Sequence, residues 1–157
     1  MNKQRIKVYA IWILLTETVG ALSALLTKNS MEIYSSSIVQ PPLSPPGILF
    51  PIVWGILYAL MGVSVARIYL TEASAERSRG INLYITQLVV NFFWSLIFFN
   101  AQAFGFAFLW LLLLWLLVLW MILTFRKKDP IAAYLQIPYL LWLTFAAYLN
   151  AAVWYLN

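Results

Sequence analysis

Three sets of residues have the types and spacing to hold a ligand. Trp54, Tyr58, Met61 and Val65 are three or four positions apart, Asn91, Trp94, Ser95 and Phe98 follow i, i+3, i+4, i+7, and Trp142, Ala146, Leu149, Asn150 and Val153 repeat the theme. At these spacings each set occupies one face of a helix. Each face carries a large aromatic ring near a small or polar group, which suits a flat, mostly apolar molecule held by stacking and a few hydrogen bonds. The amides of Asn91 and Asn150 need partners at membrane depth, either another helix or a ligand's carboxylate or carbonyl. Tryptophan can also donate an electron to an oxidant, so photochemistry of a bound pigment is within the reach of these side chains.

Other chemistry lacks its residues. The chain has no cysteine and no histidine, which removes disulfides, thiolate catalysis, the usual proton shuttle and the common metal ligands. A haem held by His or Cys is excluded, although Met or Tyr ligation is not. No Ser-His-Asp set, paired carboxylates or phosphate-cradling glycine loop is present. No metal site and no protein-bound cofactor is expected. Glu17, between Thr16 and Thr18, is an acid inside an apolar run, with Gly20, Ala21 and Ala24 following at helical spacing. It reads either as a proton-coupling acid of a transporter or as a protonated, hydrogen-bonded structural residue.

The elements that position these residues are membrane helices. Of 157 residues, 64% are hydrophobic and 10% charged, too apolar for a water-soluble core of this size. Crossing a bilayer takes runs of about 20 apolar residues. The sequence offers five, at about 6–26, 47–70, 81–100, 103–125 and 131–155, so the expected fold is an all-α membrane bundle of five transmembrane helices in one domain spanning 1–157. The first run is too long for a cleaved signal and contains Glu17. Trp110, Trp115 and Trp120 recur every five residues, and five residues turn a helix by about 500°, so their rings should face lipid or neighbouring helices in different directions.

The net charge of +5 does not indicate a nucleic-acid partner, because of where the charges lie. Lys3, Arg5 and Lys7, then Arg67, Arg77 and Arg79, then Arg126, Lys127 and Lys128 fall on one side of a five-helix bundle, and only Lys28 on the other. The positive-inside rule then predicts a cytoplasmic amino terminus, with the first loop and the carboxyl terminus external. That loop, expected over 27–46, is long and ends in Pro41-Pro42-Leu43-Ser44-Pro45-Pro46. Prolines stiffen it, so it can cover a site at little entropic cost. Asp129-Pro130 reads as an N-cap with proline at the first helical position, and Pro138 should kink the last helix.

Three motifs also resemble a known family. The proline run into Phe50-Pro51-Ile52-Val53-Trp54-Gly55-Ile56-Leu57-Tyr58-Ala59-Leu60-Met61-Gly62, the block Asn91-Phe92-Phe93-Trp94-Ser95-Leu96-Ile97-Phe98-Phe99 and the block Pro138-Tyr139-Leu140-Leu141-Trp142-Leu143-Thr144-Phe145-Ala146-Ala147-Tyr148-Leu149-Asn150 look like signatures of the tryptophan-rich sensory protein, or translocator protein, family. The resemblance implies a bacterial member, a homodimeric five-helix receptor or sensor that binds porphyrins such as protoporphyrin IX, and isoquinoline and benzodiazepine ligands, beneath the first loop. The matching positions are Trp54, Tyr58, Asn91, Trp94, Phe106, Trp142, Phe145, Ala146, Leu149 and Asn150. Some members degrade protoporphyrin IX in light and oxygen, and Trp54 and Trp142 match the tryptophans implicated there. They would be catalytic only in that case, with the porphyrin as substrate. A transporter using Glu17 is a further alternative. Animal members carry a basic, aromatic cholesterol segment where this sequence reads Val153-Trp154-Tyr155-Leu156-Asn157, without Lys or Arg, so tight cholesterol binding is not expected.

Overall fold

The computed structural model describes residues 2–157. Five helical spans are long and apolar enough to cross a membrane. They comprise α1 (Lys3–Ser37), α2 (Leu49–Tyr69), α3 (Ala75–Ser95), α4 (Phe104–Lys128), and the pair α5 (Pro130–Leu135) and α6 (Ile137–Leu156), which together form the fifth. No strand occurs among the described residues. Leucines such as Leu14, Leu25, Leu109, Leu116 and Leu141 lie exposed on the outside, as a lipid-facing surface requires.

The largest departure from the sequence reading is α1. It runs eleven residues past the expected end at 26, so residues 27–37 of the anticipated loop are helical and the connection is confined to 38–48. The physical reason is the absence of any proline or glycine between Gly20 and Pro41. Ser35 and Ser36 return their hydroxyls to the carbonyls of Met31 and Glu32, both at 3.0 Å, and Tyr34 packs its ring against Phe98 and Phe99. At about 1.5 Å per residue α1 outreaches a bilayer core, so its last turns stand over the bundle.

The other boundaries have local causes. Helix α3 starts at Ala75, six residues before the expected 81, because Ser74 caps it by accepting from the Arg77 amide at 3.1 Å; its first turns are polar and hydropathy passes over them. Its continuation, Leu96–Asn100, is a π-helix. Asp129 caps α5 by accepting from the Ile131 amide at 3.1 Å, with Pro130 at the first helical position as anticipated. Where a kink is expected at Pro138, the helix is interrupted outright at Gln136, since a proline cannot donate back to the preceding turn.

Close approach of α1 to α2 rests on two glycines. A Cβ on Gly62 would stand 2.6 Å from the Cα of Ile13, and a Cβ on Gly20 would run into the ring of Tyr58. Elsewhere the core is made by Met61, Val65 and Ile68 of α2, Tyr84 of α3, Leu111, Leu114, Val118, Met121 and Phe125 of α4, and Tyr139 and Leu143 of α6. The α4 tryptophans diverge as their spacing predicts. Trp110 donates to the Val90 carbonyl of α3 at 2.8 Å, Trp115 to the Thr144 hydroxyl of α6 at 2.9 Å, and Trp120 is exposed.

Candidate functional site

A cavity of about 780 Å³ opens between α1, α2, α3 and α6, under the connection 38–48. One wall is aromatic. The Trp54 ring stacks on Tyr58 with centroids 5.3 Å apart and meets Trp142 edge-on at 6.4 Å, and Phe50 meets Trp142 edge-on at 6.0 Å. Trp94, stacked on Phe98 at 5.0 Å, lines the cavity as well. Ala146 and Leu149 supply the small and aliphatic part of the lining, and Pro45 and Pro46 of the connection form the cover, with Pro51 in the first turn of α2 beside them.

The cover is fastened to α6. Tyr148 donates to the Pro42 carbonyl at 2.7 Å, and the Asn157 side-chain amide pairs with the backbone of Val39 in both directions, at 3.0 and 2.9 Å. Within the connection Ser44 donates through its hydroxyl to the Pro41 carbonyl at 2.7 Å. These bonds hold a segment that proline has already stiffened, so the roof is preformed.

Seven of the ten matched positions line this cavity: Trp54, Tyr58, Trp94, Trp142, Ala146, Leu149 and Asn150. Three do not. Asn91 lies behind Tyr58, accepts from its hydroxyl at 3.2 Å and donates to the Tyr139 hydroxyl at 2.7 Å, which in turn donates to Gln87 at 2.7 Å. Phe145 backs Trp142, with centroids 5.5 Å apart, and stacks on Tyr148, so it supports the wall from outside. Phe106 is 56% exposed against Trp110 and stands apart from the cavity lining, because the first turn of α4 presents it outward. Asn150 reaches the cavity, but its amide is engaged: its oxygen accepts from the Trp94 indole at 3.1 Å and its nitrogen donates to the Phe104 carbonyl at 2.8 Å. Both asparagines therefore join helices, and Asn150 sets the plane of Trp94.

The face of α1 was absent from the expected site. Gly20, Ser23, Ala24, Thr27 and Met31 line the cavity, as does Glu32 beside them. The signal was present as a stripe of small and hydroxyl residues at helical spacing in an otherwise leucine-rich helix, and it leads directly to the helical turns over 27–37. Glu17 does not line the cavity. Among the lining residues Glu32 carries the one carboxylate, and no Lys or Arg is present.

Replacing Asn91 by leucine would strand the Tyr58 hydroxyl, which is buried and has no other acceptor. A buried donor without a partner costs about 1–3 kcal/mol. The expected result is a lower thermal midpoint in detergent, partly recovered when Tyr58→Phe removes the orphaned hydroxyl as well.

A model of the TspO/MBR family matches residues 12–156. The chain belongs to the TspO/MBR family. Its similarity to the tryptophan-rich protein TspO of Chlorobaculum tepidum is 35% identity over 158 aligned residues, all of this chain and 99% of that one. The translocator protein of Ovis aries is 38% identical over 76% of this chain and 72% of its own length. Protein CrtK of Rhodobacter capsulatus is 31% identical over 95% and 92%. The TspO/MBR match reaches into all five spans and includes every residue that lines the cavity, and the chain is an integral membrane protein.

Proposed function

We propose that this member of the TspO/MBR family is a receptor or sensor that binds a flat tetrapyrrole, protoporphyrin IX, in the cavity under the proline cover, and that flat isoquinoline and benzodiazepine ligands enter the same space. The observation that carries this reading is the cluster of Trp54, Tyr58 and Trp142, which lines a cavity of about 780 Å³ together with Trp94. Stacking of a planar ring system on such walls is favourable, and the volume is in the range of small-molecule sites. The protein acts as a homodimer in the cell membrane of a bacterium. Its amino terminus lies in the cytoplasm, since nine of its ten basic residues fall on that side.

The charge of the lining orients the ligand. With Glu32 present and no cation in the wall, the two propionates of protoporphyrin IX gain nothing by entering, so they point out through the mouth. Titration of the purified protein should quench tryptophan fluorescence saturably. With the propionates held away from Glu32, Glu32→Gln should tighten binding by no more than about twofold, and the gain should vanish as salt is added. Quenching that never saturates would overturn the binding site, and a tenfold or greater gain in Glu32→Gln would overturn the orientation.

A second reading is favoured by the proximity of Trp54 to Trp142 and to Tyr139, at centroid distances of 6.4 and 6.2 Å. In light and oxygen, the bound porphyrin would be oxidised by dioxygen, with the tryptophans as electron donors or walls of the reaction cage. Illumination with product analysis separates the two. A receptor bleaches its pigment at the rate of the free porphyrin, whereas an enzyme gives a discrete product that is lost in Trp54→Phe with Trp142→Phe.

A further inference from the structure

A second hollow, of about 570 Å³, lies at the opposite end of the bundle from the cover, between the start of α3 and the end of α4. Its floor is Trp120, Leu123 and Thr124, and its rim is Arg79, Arg126 and Lys127. Trp120, Leu123, Thr124 and Lys127 follow i, i+3, i+4, i+7 on α4, so one helix face passes from apolar to basic over about 10 Å.

The basic residues at this end differ in what they already hold. Arg67 is paired with Asp129 at 2.7 Å, and Arg77 donates to the Tyr69 carbonyl from two nitrogens while lying 4.7 Å over the Tyr69 ring. Among the described residues Arg79, Arg126 and Lys127 have no carboxylate within ion-pair distance, Glu76 included although it precedes Arg79 by three positions. The Thr124 hydroxyl is spent on the Trp120 carbonyl at 2.9 Å. Three uncompensated cations thus converge above an apolar floor in which Trp120 is 54% and Leu123 49% exposed.

We propose that this hollow binds one anionic phospholipid of the adjacent leaflet, with its phosphodiester between Arg79, Arg126 and Lys127 and an acyl chain along Trp120 and Leu123. A free anion would use the cations alone. The exposed indole and leucine directly below them, at the depth of the upper acyl chain, fit a lipid. Guanidinium groups suit phosphate oxygens by their fork of donors, and a tryptophan at the boundary of membrane and water has apolar ring and polar edge each in its preferred medium.

The test uses the intact chain in phosphatidylcholine vesicles containing a small fraction of phosphatidylglycerol with brominated acyl chains, or the same fraction of brominated phosphatidylcholine. Brominated chains quench tryptophans they touch. Phosphatidylglycerol should quench more, and the excess should vanish in Trp120→Phe. Each cation removed in Arg79→Gln, Arg126→Gln and Lys127→Gln should lower the preference about fivefold, while Lys3→Gln with Arg5→Gln leaves it in place. Should the triple variant not fold, Trp120→Phe alone decides, since it leaves every charge in place. Equal quenching by the two lipids, an excess that survives Trp120→Phe or the triple substitution, or an equal loss in the Lys3 and Arg5 variant would overturn the site. So would displacement by inorganic phosphate beyond that by chloride at equal ionic strength, which would mark a site for the free anion.

Discussion

Gly62→Ala is expected to destabilise the bundle while Gly55→Ala, seven residues earlier on the same helix, is not. At position 62 the new methyl would lie 2.6 Å from the Cα of Ile13 and 3.0 Å from its amide nitrogen, so the obstacle is backbone and α1 itself must move. At position 55 nothing lies within 4 Å. Alanine favours the helix over glycine by up to about 1 kcal/mol at either site. Overpacking typically costs about 1–3 kcal/mol, and a backbone obstacle places this case at the upper end, for a net loss of about 2 kcal/mol. Thermal denaturation in detergent should show the midpoint falling for Gly62→Ala and unchanged or raised for Gly55→Ala. Because α1 forms a wall of the cavity from Gly20 to Met31, ligand affinity should fall with it. Equal behaviour of the two variants would mean that α1 does not rest on Gly62.

Trp54→Ala should abolish most of the affinity for a planar ligand without a comparable loss of stability. Trp54 is the hub of the aromatic wall, in contact with Tyr58, Tyr139 and Trp142 at 5.3, 6.2 and 6.4 Å, yet its own side chain is only partly buried and faces open volume. Removing a central aromatic anchor costs about 2 kcal/mol or more, roughly 30-fold in affinity. Phe106→Ala is the contrasting substitution. It alters an exposed ring outside the cavity, and the affinity should stay within about twofold of the parent, as for surface changes within roughly 0.5 kcal/mol. Measured by fluorescence titration, a large effect at Phe106 and none at Trp54 would place the ligand elsewhere on the molecule.

The contrast between Trp54 and Phe106 also marks how far residue patterns reach. Trp54, Trp94 and Trp142 were legible because each sits on a helical face with polar or small neighbours, and spacing alone assigns residues to faces. Phe106 and Phe145 came only from family resemblance, and whether a ring looks into a cavity or away from it depends on how its helix is rotated in the bundle. Asn91 and Asn150 show the same limit for polar groups. Burial in a membrane dictates that each amide be satisfied, but only the positions of Tyr58, Tyr139, Trp94 and the Phe104 carbonyl decide that helices satisfy them.

Although the far end of α1 and the start of α3 escaped it, the sequence by itself determined an all-α protein of five membrane spans, the N-cap at Asp129, the disturbance of the last helix at Pro138 and three aromatic helix faces. These follow from local causes: bilayer thickness sets the length of an apolar run, proline and capping groups act within one turn, and side-chain direction repeats with the helix. Tertiary structure alone decided that α1 supplies the fourth wall and carries Glu32 to the site, that the cover is tied to Tyr148 and Asn157, and that Arg79 meets Arg126 and Lys127 while Arg67 and Arg77 are engaged. Apart from the Arg77 contact with Tyr69, eight positions away, each of these joins residues tens of positions apart, and no local rule reports which faces of separate helices are brought together.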